Sequence, residues 1–168
     1  RAHPTPADWA ALSQEQLEAE IRPTGFFRNK ARNIRELARV VVERFGGQLP
    51  SDFDTLVQLP GIGRKTANLL VATAFGGQGI IVDTHCGRVS RRLGFTEAND
   101  PEQIEFTLRD LIPPSEWSVF SHCMVIHGRR CCTARRPACE RCPVADLCPS
   151  AGTASRPAGR GAARRRNR

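Results

Sequence analysis

One lysine at the start of a predicted helix has the chemistry of a nucleophile. Residues 59–63, Leu-Pro-Gly-Ile-Gly, predict a tight turn, because proline presets its own φ and the two glycines can adopt a positive φ. Residues 64–75 then favour a helix, with apolar side chains spaced to form one face. Lys65 lies in the first turn, where the positive end of the helix dipole disfavours the ammonium form. A neutral amine can attack carbon, so Lys65 is the candidate nucleophile.

The turn before that helix also has the chemistry of a phosphate site. Backbone N–H groups at a helix N-terminus point toward a bound anion, and the helix dipole favours its negative charge. Asp83, in the sequence Val-Asp-Thr-His, is the nearest downstream carboxylate and lies where the next helix is predicted to start. Asp83 is therefore the candidate partner of Lys65. Taken alone, the pattern also fits an ordinary loop followed by a solvated surface lysine.

A second group of residues has the spacing of metal ligands. Four cysteines near the C-terminus follow the pattern C-x6-C-x2-C-x5-C. They are Cys132, Cys139, Cys142 and Cys148. Spacing alone leaves a zinc site, an iron–sulfur cluster and unpaired buried thiols as alternatives. Seven cysteines in a chain without a secretion signal argue against a disulfide framework. Cys131 is out of register with the four, and we expect Cys86 and Cys123 to be core thiols on helices.

Short helices joined by tight turns are predicted for most of the chain, which indicates the all-α fold class. Residues 1–11 contain two prolines and no periodicity, and we expect them to be irregular. Residues 12–130 are expected to form a helical domain, with the turn and its flanking helices at about 56–76. Residues 131–149 are expected to form a cysteine-rich loop, and residues 150–168 a basic disordered tail.

The charge of the chain indicates a polyanionic partner. The net charge is +8, and nearly all the basic residues are arginines, which bind phosphate through paired hydrogen bonds. Six arginines lie in residues 156–168, so the rest of the chain is only mildly basic. No apolar run approaches the ~18 residues of a membrane span, and no signal peptide is recognised. We therefore expect a cytoplasmic protein without a membrane partner.

Three motifs together resemble those of the endonuclease III family of DNA glycosylases. They are Gly-Ile-Gly-Arg-Lys-Thr-Ala at residues 61–67, Val-Asp-Thr-His at residues 82–85 and the cysteine array. The resemblance implies an all-α helix-hairpin-helix glycosylase fold, with Lys65 as the nucleophile and Asp83 as its carboxylate partner. Related glycosylases that excise adenine lack this lysine, so Lys65 favours the lyase branch. For the four cysteines, the resemblance implies a C-terminal [4Fe–4S] loop whose cluster takes no part in base excision.

The resemblance also implies a function and a partner. The expected function is base excision repair: removal of oxidised pyrimidines from damaged double-stranded DNA, then strand cleavage by β-elimination through a lysine Schiff base. Gly61, Gly63 and Arg64 are expected to contact DNA. Phe26, in Thr-Gly-Phe-Phe-Arg-Asn-Lys, is expected to insert as an apolar wedge, with a core aromatic as the alternative. We expect a monomer associated with the nucleoid.

The opening part of the family has no counterpart in this sequence. The family's first helices, with a Ser-Ala-Gln-x-Thr-Asp stretch within them, match no segment of residues 1–168. We therefore expect an N-terminally truncated member of the family that keeps the catalytic pair and the cluster ligands. The alternative function is that of a non-catalytic DNA-binding fragment of such a glycosylase. A structural zinc protein with an incidental Pro-Gly-Ile-Gly loop is a third.

Overall fold

The computed structural model describes residues 3–153, which contain α-helices and short 3-10 turns but no β-strand. The predicted all-α class is confirmed. The chain divides into two compact units, Arg1–Gly79 and Ile80–Arg168. The helical domain predicted for residues 12–130 extends over parts of both units. The apolar side chains on the two sides of Gly79 form separate clusters.

The N-terminal unit is built on one long helix. Its described helices are α1 (Pro6–Ala11), α2 (Gln14–Ile21), α3 (Phe27–Phe45), α4 (Phe53–Val57) and α5 (Arg64–Ala74). Helices α1 and α2 both pack on α3. Ser13 begins α2 and Asp52 begins α4, and each side chain accepts a hydrogen bond from a backbone N–H three residues later.

The prediction that residues 1–11 are irregular is wrong, because α1 begins at Pro6. Thr5 and Asp8 form a reciprocal capping box: the Thr5 backbone N–H donates to Asp8 Oδ2 at 2.9 Å, and the Asp8 N–H donates to Thr5 Oγ1 at 3.3 Å. Pro6 occupies the first helical position, where a backbone N–H would have no acceptor within the helix. No residue of α1 is fully buried, so the helix has no apolar periodicity by which to recognise it.

Helices α4 and α5 form a hairpin around a small apolar cluster. The buried members of this cluster are Leu56, Leu59, Ile62 and Ala67. Partly buried side chains of α3 pack against them. Leu59 and Ile62 bring both sides of the turn into this cluster, which fixes the turn relative to its flanking helices.

The C-terminal unit contains α6 (Thr84–Arg92), α7 (Pro101–Leu111) and α8 (Trp117–Arg130). Asp83 and Asp100 cap α6 and α7 with their side chains. The buried cluster of this unit comprises Ile80, Val82, Cys86, Val89, Ile104, Leu108 and Met124. Helix α6 therefore packs against both other helices through its apolar face.

Helix α8 lies close to α6 at a glycine. A Cβ atom at Gly128 would lie 2.9 Å from the His85 Cβ, so only glycine permits this approach. Helix α8 buries Ser121, Met124 and Gly128, which share one face. Cys123 lies on another face and is exposed, so the expectation that it is a core thiol is wrong. Cys86 is buried as predicted, and burial raises the pKa of its thiol to about 11.

Residues 131–149 form an irregular segment after α8, as predicted. It contains two 3-10 turns, Cys139–Arg141 and Ala145–Leu147. Of the predicted basic tail at 150–168, residues 154–168 lie outside the described residues. Across residues 3–153, none of the helices has the length and apolar character needed to cross a membrane.

Candidate functional site

The turn between α4 and α5 has one glycine that the backbone requires. Gly61 has a φ of +74°, in the left-handed region that disfavours residues with a Cβ. A Cβ atom there would also lie 2.7 Å from the Asn33 Cβ. The Ile62 N–H donates to the Leu59 carbonyl at 3.1 Å and closes the turn. The structure therefore confirms the tight turn predicted for residues 59–63.

Gly63 differs from Gly61 because its backbone is compatible with any residue. It is the N-cap of α5, with φ −88° and ψ 173°, and no atom lies within 4 Å of the position of an added Cβ. Gly63 also has no side chain that could cap the first N–H groups of α5. The space in front of this helix N-terminus is therefore accessible to an anion.

Lys65 and Arg64 occupy the first turn of α5. Lys65 is exposed, so a substrate in solution can reach its amine. The Arg64 guanidinium lies 4.9 Å from the centre of the Phe53 ring, within the range of a cation–π interaction. This contact holds the Arg64 side chain against α4. Both residues lie at the helix position that the sequence predicts.

Asp83 is the N-cap of α6 in the C-terminal unit. Its Oδ1 accepts hydrogen bonds from the backbone N–H groups of His85 and Cys86, both at 2.8 Å. Its Oδ2 accepts no hydrogen bond from the residues that the structure describes. One carboxylate oxygen therefore orients the side chain, and the other is available for chemistry. Lys65 belongs to the N-terminal unit and Asp83 to the C-terminal unit.

Phe26 combines exposure with backbone strain. Its side chain is 87% exposed, so the alternative of a core aromatic is wrong. Its φ of 58° and ψ of 32° make it the non-glycine residue with positive φ in the described part of the chain. The left-handed conformation costs a residue with a Cβ about 1–2 kcal/mol. Phe26 precedes α3 directly, so an unburied ring on a strained backbone lies at the start of that helix.

The four predicted cysteine ligands line one cavity in the C-terminal unit. The cavity has a volume of about 20 Å³, and its wall includes Cys132, Cys139, Cys142 and Cys148. Arg92 Nη1 donates to Cys132 Sγ at 3.3 Å, so a cationic side chain contacts one of the four sulfurs. Thiolates are the ligands of iron–sulfur clusters, so the residues present fit such a cofactor.

Two arginines of α6 bind the start of the cysteine loop. Arg88 Nη2 donates to the carbonyls of Gly128 and Cys132 at 2.8 and 3.1 Å. Arg92 donates to the carbonyls of Thr133 and Ala134 at 2.7 and 2.9 Å. The same helix is capped by Asp83, so α6 connects the candidate catalytic carboxylate with the loop. The sequence analysis missed both arginines, although their four-residue spacing places them on one helix face.

Cys131, which the sequence excludes from the ligand set, lies in the same cavity. Its Sγ, a sulfur of Cys142 and a ring nitrogen of His127 all lie within 4.8 Å of one another. Burial raises the pKa of the Cys131 thiol, and the hydrogen bond and charge of Cys142 act in the same direction. The cavity therefore contains a fifth thiol and an imidazole beside the four predicted ligands.

Family models match both parts of the chain. The model described as HhH-GPD superfamily base excision DNA repair protein matches residues 1–114. The model described as the iron-sulfur binding domain of endonuclease III matches residues 132–148, the segment bounded by Cys132 and Cys148. Together with the thiol-lined cavity, this match identifies the cofactor as a [4Fe–4S] cluster.

Proteins named endonuclease III resemble the chain over most of its length. The protein of Bacillus subtilis is 45% identical over 144 residues, which are 85% of this chain and 66% of that protein. The protein of Synechocystis is 50% identical over 139 residues, which are 82% of this chain and 64% of that protein. The chain thus spans about two-thirds of the length of these relatives.

Solved structures of complexes with DNA also match. A non-covalent endonuclease III–DNA complex matches with a TM-score of 0.85 at 46% identity, covering 89% of this chain and 71% of the other. A trapped endonuclease III–DNA covalent intermediate matches with the same values. With the hairpin, the cysteine cavity and the matches to both family models, this chain belongs to the HhH-GPD superfamily of base excision DNA repair proteins, in its endonuclease III branch.

Proposed function

We propose that this chain is a bifunctional DNA glycosylase and AP lyase of base excision repair. The observation that carries the proposal is Lys65, an exposed lysine in the first turn of α5, directly after the glycine turn. It lies within the region that matches the base excision repair family. A trapped covalent intermediate of endonuclease III with DNA is among the solved structures that the chain resembles, at 46% identity. That likeness supports a covalent mechanism for this chain.

In the proposed reaction, Lys65 is the nucleophile. The lone pair of its neutral Nζ forms a bond to the sugar C1′, and the bond from C1′ to the damaged base breaks. The base leaves with that electron pair, and opening of the sugar ring gives a Schiff base. Loss of a proton from C2′ then expels the 3′ phosphate by β-elimination. Removal of oxidised pyrimidines is the substrate class that we propose.

Asp83 is proposed to assist the attack of Lys65. Its Oδ1 is fixed by two N–H groups at the start of α6, which keeps the carboxylate in one orientation. The carboxylate would accept a proton from the amine, or stabilise the positive charge that develops on the sugar. Either role requires the ionised form.

The glycine turn is proposed to bind a DNA phosphate. Gly61 gives the turn its shape, and Gly63 leaves the N-terminus of α5 uncovered, so backbone N–H groups can donate to phosphate oxygens. Arg64 adds a positive charge in the same helical turn. Five exposed arginines on and after α8 are proposed to add further phosphate contacts. They are Arg129, Arg130, Arg135, Arg136 and Arg141.

Phe26 is proposed to insert into the base stack. Glycosylases extrude the damaged nucleotide, and an apolar ring can fill the space that it leaves. The exposure of Phe26 and its strained left-handed backbone support this role, because such strain is concentrated at functional positions.

Cys132, Cys139, Cys142 and Cys148 are proposed to hold the [4Fe–4S] cluster. When bound, the cluster supplies a rigid crosslink between loop residues and no part of the base excision chemistry. Arg88 and Arg92 bind the carbonyls of Cys132 and Thr133 at the start of the loop and connect the loop to α6. The exposed arginines of the loop are thereby kept in position for DNA.

The test is strand cleavage of a duplex that contains one abasic site. Lys65→Gln is expected to lower the cleavage rate by about a thousand-fold or more, as loss of a nucleophile does. Lys30→Gln is the matched control, because Lys30 is the other lysine of the chain and is also exposed. A wild-type chain that is folded, contains iron and binds the duplex without cleaving it would favour the alternative, a non-catalytic DNA-binding fragment. We also predict a monomer that works at the nucleoid, where its proposed substrate lies.

A further inference from the structure

The end of α8 and the cysteine loop bring together three metal-binding side chains, only one of which is a predicted cluster ligand. His127 lies in the last turn of α8, and Cys131 follows it one helical turn later. The Cys131 N–H donates to the His127 carbonyl at 2.9 Å, which fixes their spacing. The third residue is Cys142 of the loop, whose Sγ lies 3.8 Å from His127 Nε2.

The distances among these donors suit a tetrahedral metal ion. Zinc binds thiolate sulfur at about 2.3 Å and imidazole nitrogen at about 2.0 Å, so tetrahedral ligand atoms lie roughly 3.5–3.8 Å apart. The distance from His127 Nε2 to Cys142 Sγ is 3.8 Å, and all three donor atoms lie within 4.8 Å of one another.

The loop backbone keeps Cys131 at this position. The Ala138 N–H donates to the Cys131 carbonyl at 2.9 Å, and the Cys131 thiol points to the Ala138 carbonyl at 3.6 Å. The thiol thus lies inside the cavity and not on the outer surface of the loop. When the thiol loses its proton to bind a metal ion, a metal–sulfur bond replaces its weak hydrogen bond to the Ala138 carbonyl.

We propose that His127, Cys131 and Cys142 form an alternative site for a soft divalent ion such as Zn²⁺, occupied when the cluster is absent. Two thiolates and one imidazole are ligands that zinc prefers, and three protein ligands leave one position for water. Cys142 belongs to both ligand sets, so the cluster and the divalent ion exclude each other. The proposal does not depend on the enzymatic activity proposed above.

The two ligand sets predict opposite effects of two cysteine substitutions. Cys131 belongs only to the divalent site, and Cys132 only to the cluster. Cys131→Ser is therefore expected to keep the brown iron–sulfur absorbance and to lose divalent-ion binding. Cys132→Ser is expected to lose the iron–sulfur absorbance and to keep the divalent ion. The two cysteines are neighbours in the sequence, so each variant is a matched control for the other.

The experiment uses Co²⁺ as the probe. The full chain is produced in iron-depleted medium with added Co²⁺, and cobalt content and visible absorption are measured. We expect one cobalt per chain, with tetrahedral d–d bands and a thiolate charge-transfer band, and at least a tenfold loss of bound cobalt in Cys131→Ser. The same preparations in iron-replete medium report the cluster.

X-ray absorption at the cobalt edge decides the question even if a variant does not fold. The wild-type chain is expected to show a shell of two sulfur ligands with nitrogen or oxygen ligands, including an imidazole. A shell of four sulfurs would assign the ion to the four cluster cysteines and overturn the proposal. The absence of cobalt, or cobalt that Cys131→Ser retains in full, would overturn it as well.

Discussion

Asp83 serves a structural role and a proposed chemical one through different oxygens. Oδ1 caps α6 by accepting two backbone N–H bonds, and this role needs an oxygen acceptor but not a charge. The proposed role in the reaction needs the negative charge. The two roles can therefore be separated by the choice of substitution.

Asp83→Asn is expected to keep the cap and lose the chemistry. Asparagine is as good a helix N-cap as aspartate, so the free energy of unfolding should change little. The single-turnover rate of base excision should fall by about 10²- to 10⁴-fold, the usual contribution of a general acid or base. Asp83→Ala is the comparison, because it should also cost about 1 kcal/mol of stability through the lost cap. An unchanged excision rate in Asp83→Asn would reduce the residue to a helix cap.

Phe26→Gly is expected to raise stability and to lower the rate of base excision. Glycine adopts the left-handed backbone without strain, and the exposed ring contributes little burial, so stability should rise by about 1 kcal/mol. The excision rate should nevertheless fall, because the ring proposed to enter the base stack is gone. Thermal unfolding and single-turnover excision measure the two effects. Excision at the wild-type rate would refute the wedge assignment.

Residue types that carry chemistry were predictable from the sequence because the local pattern contains the information. Lys65 follows a glycine turn, Asp83 precedes a helix, and both positions agree with the structure. Cys123 was mispredicted because membership of a helix does not determine which face is buried. The phase of α8 is set by Met124 and Gly128, which pack toward α6.

At the scale of elements, the hairpin contains two glycines with different tasks. Gly61 is required by its positive φ and by the nearby Asn33 Cβ, whereas Gly63 has an ordinary backbone and free space around its Cα. The first glycine therefore serves the fold, and the second leaves room for the proposed phosphate.

Gly61→Ala and Gly63→Ala are expected to affect different measurements. Gly61→Ala should lower the free energy of unfolding by about 1–2 kcal/mol from backbone strain, with a further cost from the contact with Asn33. Gly63→Ala replaces a favoured N-cap residue without backbone strain or a clash, so it should cost no more than about 1 kcal/mol of stability. It should weaken binding to duplex DNA by about tenfold, or 1.4 kcal/mol, because the methyl group lies where the phosphate approaches. Equal DNA affinities of Gly63→Ala and wild type would contradict the phosphate assignment.

Helix α6 shows what the sequence could not reveal. Arg88 and Arg92 bind backbone carbonyls that lie 40 or more positions away in the chain. Every residue has a backbone carbonyl, so the sequence does not indicate which carbonyl accepts a hydrogen bond from a given arginine. Helix α1 was missed for another reason: a short capped helix without buried residues has no apolar period.

At the scale of the whole molecule, the fold class was predictable and the division into units was not. Helix caps, glycine stops and apolar spacing lie within single segments, so they indicate an all-α chain. The boundary at Gly79 depends on which helices share an apolar cluster. The sequence does not show which cluster an apolar side chain joins. The chain also spans 66% and 64% of two curated relatives, so its own competence must be measured.

The most direct measurement of the proposed function is borohydride trapping of the full 168-residue chain on a duplex with an oxidised pyrimidine. Borohydride reduces a Schiff base to a stable amine, so it records the covalent intermediate of the proposed mechanism. The chain has two lysines, Lys30 and Lys65, so peptide mapping of the adduct has few alternatives. We predict a covalent adduct on the peptide that contains Lys65, absent in Lys65→Gln and retained in Lys30→Gln. Absence of an adduct from folded, iron-loaded protein, or an adduct on another amine, would contradict the lyase mechanism.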